Sequence, residues 1–215
     1  MLTGIPTKLR TMATTLRNEG LRSFGEKAAS ALGYRSLHLL ERRLDPVPEV
    51  APPAGCRIGP LATNAFGDYL ALRPSASREQ VERRLACGSV CFGAWIGGEL
   101  VSAFWMGTRG WSPPYLGGDP HLAPGEVAFF DAFTALACRR RSFCHAVSAV
   151  MMAVAKANGF ETAIVLVVPW NHGSLRAHAK AGFRPRCTLR VIGLGPWRLR
   201  SYLPPAPEAF GELAP

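Results

Sequence analysis

The sequence predicts an α/β fold in which one mixed sheet carries helices on both faces. Two apolar, β-prone segments flank Gly97-Gly98, a pair typical of a tight hairpin, and a hairpin joins antiparallel strands. A helix-length segment connects two strand candidates at 126–135 and 162–168, and a helical crossover of this kind favours a parallel pair. A sheet that contains both connections is mixed.

The remaining elements follow from periodicity and from turn residues. Ser77 and Gln80 have the spacing of a capping box at a helix start, and Gly159 and Gly182 stand where two helices are expected to end. Residues 110–125 are rich in proline and glycine and predict a long loop, a type of segment that is often functional. The predicted strands are 57–61, 89–96, 99–108, 126–135, 162–168, 186–192 and 197–202, and the predicted helices are 63–72, 77–86, 142–158 and 174–181.

The chain divides into four predicted segments. Residues 1–44 form a basic helical extension whose apolar residues recur at helical intervals, and residues 45–55 form a Pro-rich linker. Residues 56–203 form the compact domain, and residues 204–215 form a C-terminal tail. The extension either packs on the domain, which we favour, or lies as an amphipathic helix against anionic lipid or a partner protein. Its helical stripe is Leu21, Phe24, Ala28, Ala31, Leu32 and Leu39.

Composition indicates a globular protein of one domain. The 215 residues are 48% hydrophobic and 19% charged, and the formal net charge is +10. Such a charge favours anionic partners, among them nucleic acid, acidic lipid, phosphorylated cofactors and acidic proteins. We disfavour nucleic acid, because the basic residues are not interleaved with aromatic residues.

Cysteine usage and apolar runs indicate a cytoplasmic protein without a metal. The six cysteines form no CxxC pair, and Cys138, Cys144 and His145 fit no common zinc-ligand spacing. The N-terminal residues lack the apolar core of a signal peptide. The longest strongly apolar run, 163–168, is far too short for a membrane span.

Two segments carry the candidate chemistry. The long helix predicted at 142–158 is preceded by Arg139, Arg140 and Arg141, and a helix N-terminus beside three arginines suits a pyrophosphate. The second segment follows the 162–168 strand and includes Asn171, Ser174 and, further on, the run His178-Ala179-Lys180-Ala181-Gly182-Phe183.

Together these segments resemble the GNAT superfamily of acyl-CoA N-acyltransferases, most sharply over residues 126–185. The 139–144 segment aligns with the family's Arg/Gln-x-x-Gly-x-Gly/Ala loop, and the 171–183 segment aligns with its Asn-x-x-Ser and aromatic-x-Lys-x-Gly-Phe signature. The resemblance implies a GNAT-like fold over roughly 56–203 and transfer of an acetyl or longer acyl group from acetyl-CoA or another acyl-CoA to a primary amine. The acceptor is a small-molecule or peptide amine.

The resemblance also implies the residues of the donor site. Backbone N–H groups near Phe133 and Ala135 would polarise the thioester carbonyl. The full implied set is Phe133, Thr134, Ala135, Arg139, Arg140, Arg141, Ser142, Phe143, Cys144, Asn171 and Ser174. The exposed final strands of this fold can also pair two subunits into a homodimer.

Three departures from the family pattern bear on activity. Ser142 and Cys144 replace glycine or alanine, and the cysteine side chain is expected to crowd the pyrophosphate. An acidic acyl carrier protein as donor, or an inactive ligand-binding relative, is therefore an open alternative. His178 replaces the family tyrosine that protonates the leaving thiolate, and histidine can serve as that general acid.

The candidate general bases are Asp131 and Glu126. Because they lie five residues apart on a predicted strand, they face opposite sides, and we favour Asp131 as the one in the cleft. His121, in the long loop, is a candidate for lining an acceptor pocket together with Trp111 and Tyr115.

Overall fold

A single eight-stranded mixed sheet organises the protein. The computed structural model describes residues 34–113, 116–194 and 197–205, and all the strands lie in the spatial order β2-β3-β4-β5-β6-β1-β7-β8. The strands are β1 (Tyr34–Arg43), β2 (Cys56–Pro60), β3 (Val90–Ile96), β4 (Glu99–Gly107), β5 (Glu126–Thr134), β6 (Thr162–Val167), β7 (Arg184–Leu194) and β8 (Trp197–Leu203). Within these ranges β5 and β6 form the parallel pair, and the other neighbours are antiparallel.

Helices cover both faces of the sheet, as predicted. They are α1 (Phe66–Leu72), α2 (Arg78–Ala86), α3 (Phe143–Ala157) and α4 (His172–Lys180). The side chains of Phe104 and Phe129 share a core with α3, whereas Trp105 shares a second core with Tyr69 of α1 and Val81 of α2. Phe104 and Trp105, which are adjacent on β4, thus pack on opposite faces of the sheet, because side chains alternate along a strand.

Local turn and capping signals are confirmed. The Ser77 hydroxyl accepts the Gln80 N–H at 3.1 Å, which is the expected cap of α2. Gly159 and Gly182 have φ of +83° and +80° after α3 and α4, a conformation that glycine adopts without steric cost. Gly97-Gly98 joins β3 to β4 in an antiparallel hairpin.

The prediction of a helix for the N-terminal extension is wrong near the C-terminal end of that segment. Residues 34–43 are strand β1, which lies inside the sheet and pairs antiparallel with β6 on one side and β7 on the other. The folded unit therefore includes Tyr34 and does not begin at Cys56. A central strand is covered on both faces, so the run Leu37, Leu39 and Leu40 is buried without strict alternation, and periodicity does not distinguish it from a helix.

Residues 1–33 and 206–215 lie outside the described residues, so a helix over the rest of the extension and the C-terminal tail remain predictions. The Pro-rich segment 45–55 forms no helix or strand and connects β1 to β2. None of the helices that the structure describes has the length and apolar character to cross a bilayer.

The central position of β1 predicts a large stability effect at Leu40, which is 2% exposed in the main core. Leu40→Ala should lower the free energy of unfolding by about 3 kcal/mol, because the lost methyl groups leave a cavity that the sheet cannot close. Leu199→Ala, at a side chain that is 68% exposed, is the matched control and should change stability by less than about 0.5 kcal/mol. Urea titration measures both, and equal effects would contradict the burial of β1.

Candidate functional site

The two parallel strands separate before they end, and a cleft opens between them. Paired residues of β5 and β6 run from Glu126 with Thr162 to Phe129 with Val165. Both strands continue beyond that point without pairing to each other. A cleft of about 580 Å³ begins here, and its floor includes Phe130. The strand ends therefore offer backbone hydrogen-bonding groups to a ligand rather than to each other.

A β-bulge at Asp131 shapes the β5 side of the cleft. Trp105 of β4 pairs with Phe130 and Ala103 pairs with Phe133, so β5 holds one extra residue over this stretch. Asp131 has φ of +56°, a left-handed conformation that is uncommon for a residue other than glycine. The bulge turns the strand and directs the Asp131 carboxylate into the cleft lining.

The Asp131 carboxylate is held by three side chains from the α1–α2 region, which packs on the sheet. Arg73 contacts Oδ1 at 2.5 Å, and Arg84 contacts Oδ2 at 2.6 Å. The Tyr69 hydroxyl donates to Oδ2 at 3.1 Å, and burial together with the Asp131 charge raises the pKa of Tyr69 to about 12, which keeps its proton in place. The predicted base therefore has both oxygens engaged, and it ties α1 and α2 to the bulge.

The second candidate base, Glu126, lies at the other end of β5 and outside the cleft. Glu126, the first residue of the strand, accepts the Ala123 N–H at 2.7 Å and forms an ion pair with Arg186. It lies with His121 around a separate, shallow hollow. Glu126 thus anchors the end of the long loop, at the end of β5 opposite the strand separation. The fold does not bring the two candidate carboxylates, Glu126 and Asp131, together.

The long loop forms the wall of the cleft facing α2. Asp119 closes this loop on itself, since its carboxylate accepts the N–H groups of Gly110 at 2.5 Å and Ser112 at 2.8 Å. Arg200 of β8 donates to the carbonyls of Leu116 and Gly118, each at 2.7 Å. Trp111 is buried and lines the cleft, as predicted for a pocket residue, and Tyr115 lies outside the described residues.

The N-terminus of α3 is open to an anion. The N-cap residue Ser142 has φ of +61°, makes no side-chain cap, and the first turn holds no acidic residue. Arg140 has φ of +64°, and Arg139, Arg140 and Arg141 are all exposed around this turn. The free N–H groups and the positive end of the helix dipole thus lie beside three consecutive exposed arginines.

Cys144 does not crowd this loop. Its side chain packs against the main core below α3, and burial raises the pKa of its thiol to about 11. The position that is strained is Ser142, whose left-handed φ is the conformation for which glycine is suited. Phe143 is likewise buried in the core, so of residues 142–144 only the serine side chain is exposed at the turn.

Asn171 and Ser174 lie where the second motif predicts them, at the cleft. The Asn171 side chain caps α4 by accepting the Ser174 N–H at 3.1 Å, and both residues line the cleft. The motif therefore has a local structural reason, since the asparagine fixes the start of α4 beside the end of β6.

His178 is buried, 8% exposed, between the rings of Phe104 and Phe183. Its Nδ1 lies 2.8 Å from the Ser174 carbonyl, which can only accept, so Nδ1 carries a proton. Burial lowers the pKa of His178, so the imidazole is neutral at neutral pH and its Nε2 has no proton to donate. This geometry does not favour His178 as the general acid.

The Ala135 N–H is not available to a carbonyl oxygen, contrary to expectation. It donates to the carbonyl of Val101 in β4, at 2.9 Å. Because hydrogen-bonding direction alternates along a strand, we expect the Thr134 N–H to point to the side that β6 has left. Thr134 is further fixed by Ser102, whose hydroxyl lies 2.9 Å from the Thr134 hydroxyl.

The arginines that line the cleft are not predicted by any sequence motif. Arg73, Arg83 and Arg84 come from the α1–α2 region, and Gln80 lies one helical turn before Arg83 and Arg84 on α2. The spacing of residues 80, 83 and 84 indicates a shared helix face, but only the fold turns that face toward β5. In the described part of the chain no group of three or more His, Cys, Asp or Glu side chains could hold a metal ion.

Known proteins share this fold at low sequence identity. No protein-family model matches the sequence, and no curated protein matches it significantly. A solved structure from Novosphingobium aromaticivorans, assigned to the GNAT family of acetyltransferases, has a TM-score of 0.53 at 20% identity over 74% of this chain and 65% of its own. A GCN5-related N-acetyltransferase from Sphaerobacter thermophilus has a TM-score of 0.56 at 14% identity over 85% of this chain and 57% of its own.

A GCN5-related N-acetyltransferase from Kribbella flavida is similar to the same extent, with a TM-score of 0.52 at 15% identity over 84% of this chain and 63% of its own. The chain spans less than two thirds of the length of each of these three structures. At these identities the comparisons show the GNAT fold that the motifs predict.

The left-handed residues at the start of α3 predict an unusual response to glycine. Ser142→Gly should raise the free energy of unfolding by about 1 kcal/mol, because a left-handed conformation costs about that much for a residue with a Cβ atom. Arg141→Gly is the matched control, since Arg141 is not among the residues with positive φ, and it should lower stability. Thermal or urea unfolding measures both, and a loss of stability in Ser142→Gly would contradict the loop geometry.

Proposed function

We propose that this chain, which has the fold of the GNAT N-acetyltransferases, transfers an acyl group from an acyl-coenzyme A to a primary amine. The observation that carries the proposal is the separation of β5 and β6 beside the uncapped N-terminus of α3. An extended thioester arm fits between strands whose facing backbone groups are unpaired, and a pyrophosphate fits the adjoining cationic turn.

The donor would lie along three neighbouring surfaces. Arg139, Arg140 and Arg141 would hold the pyrophosphate together with the free N–H groups of α3. The backbone of Phe133 and Thr134 would pair with the pantetheine arm, and Asn171 and Ser174 would line its far side. Because Cys144 packs into the core, the steric reason for preferring a carrier-protein donor over coenzyme A is removed.

Acyl transfer in this cleft would be a direct attack of the neutral amine on the thioester carbonyl. The C–N bond forms as the C–S bond breaks, and the proton that the amine loses balances the proton that the thiolate gains. A backbone N–H near Thr134 would stabilise the developing oxyanion, as fixed donors do in comparable sites. Water would carry the protons, since the carboxylates lining the cleft in the described residues, Asp119 and Asp131, are both engaged.

Donor binding is the first test. Calorimetric titration of acetyl-CoA should give a micromolar dissociation constant, and Arg139→Ala should weaken binding about tenfold by removing one charge-assisted contact. Acetyl-pantetheine, which lacks the pyrophosphate, should bind weakly and should not respond to Arg139→Ala. Arg78→Gln, an exposed arginine outside the cleft lining, is the control and should bind acetyl-CoA normally.

Failure of acetyl-CoA to bind, together with turnover of an acyl-carrier-protein thioester, would replace the donor in this proposal. Failure of both donors would leave a non-catalytic binding protein of the same fold.

The pH dependence of acyl transfer should follow the acceptor and not the protein. With no free base in the described cleft lining, kcat/KM should rise with pH and level off at the pKa of the acceptor amine, moving when the acceptor is changed. Asp131→Asn should leave that plateau in place while lowering the free energy of unfolding by about 3 kcal/mol, because two guanidinium groups lose their counter-ion. A plateau at one pH for every amine, abolished in Asp131→Asn, would identify Asp131 as the base.

A further inference from the structure

One wall of the cleft carries more positive charge than its neighbours neutralise. The arginine wall consists of Arg73, Arg83 and Arg84, which all line the cleft from the α1–α2 layer. The lining contains two carboxylates in the described residues, Asp119 and Asp131. The cleft therefore holds one more guanidinium group than carboxylates before any ligand enters.

Both carboxylates already have partners within the protein. Asp119 accepts two backbone N–H groups of its own loop, at 2.5 and 2.8 Å. Asp131 is paired with Arg73 and Arg84. Neither offers a free oxygen to a positively charged ligand, so a simple cationic amine gains nothing here and is repelled by the arginine wall.

The guanidinium groups of the arginine wall retain N–H donors that these contacts do not use. Each guanidinium carries five N–H donors, and Arg84 uses Nη1 for both Tyr69 and Asp131 while Arg73 uses Nη2 for Asp131. Arg84 is buried over the rings of Trp105 and Phe130, which fixes its orientation. Arg83, the preceding residue of α2, is exposed and extends the same wall toward solvent.

We propose that the acceptor is a small amine that also bears an anionic group, a carboxylate or a phosphate, and that the arginine wall binds that group. This inference rests on the proposed acyl transfer and names its substrate class. The cleft volume of about 580 Å³ has room for the thioester end of the donor together with a small acceptor.

The experiment compares four amines of similar size: β-alanine, O-phosphoethanolamine, propylamine and 1,3-diaminopropane. Their binding to the full chain is measured by calorimetry with and without coenzyme A, and their acetylation is measured by release of free thiol from acetyl-CoA. The two anionic amines should bind at least about tenfold more tightly than propylamine, and the diamine should bind most weakly. The preferred member of the anionic pair distinguishes a carboxylate from a phosphate acceptor.

Arg83→Gln is the test variant, because Arg83 is exposed and its loss leaves the Asp131 pairs intact. It should raise the dissociation constant and KM of the anionic amines about tenfold, leave acetyl-CoA binding unchanged and not weaken the binding of propylamine. Arg78→Gln, on the same helix but outside the cleft lining, should change none of these values.

The inference would be overturned if all four amines bound with equal affinity, or if Arg83→Gln weakened acetyl-CoA binding and not amine binding. Neither result would contradict the proposed acyl transfer. Absence of acetyl-CoA binding would instead remove the proposed transfer, and the anion preference would still be read directly from amine binding.

Discussion

The site depends on the separation of β5 from β6. Parallel strands pair through evenly spaced hydrogen bonds, and each pair that is not made leaves polar backbone groups that need another partner. Pairing stops after Phe129 and Val165, yet both strands continue, so the sheet contains an opening at its centre. β4 holds one side of β5 in place, and β1 holds the other side of β6, which keeps the two strand ends apart.

Asp131 connects this opening to the layer above it. Its left-handed backbone marks the bulge, and its carboxylate gathers Tyr69, Arg73 and Arg84 around one point. The aromatic rings of Phe66, Tyr69 and Trp105 pack against one another beside this ion-pair cluster, with 5.6 to 6.4 Å between ring centroids. The conformational cost of the bulge is thus offset by contacts that also orient the arginine wall.

Sequence patterns predicted what is local, and they failed where the partner is distant. The hairpin at Gly97-Gly98 and the cap at Ser77 rest on neighbouring residues, and the parallel crossover rests on the one helix-length segment that connects its strands; each is confirmed. The motifs at 139–144 and 171–183 led to the GNAT fold for the same reason, although the roles of their residues remain predictions. The sequence predicts a helix at strand β1 because Leu39 continues the helical stripe. The apolar residues at 37, 39 and 40 fit either element until both flanking strands are known. The partners of Asp131 and the proton position on His178 also depend on residues that only the fold brings together.

The central location of β1 has a consequence for how the chain folds. His38 of β1 and Thr188 of β7 lie 150 positions apart, yet their side chains are within 3.4 Å. This interior strand can therefore be inserted only after most of the chain has been synthesised. Long-range pairing of this kind slows folding, and an intermediate without β1 would expose unpaired edges on β6 and β7 at once. Those two edges are where such an intermediate would aggregate first.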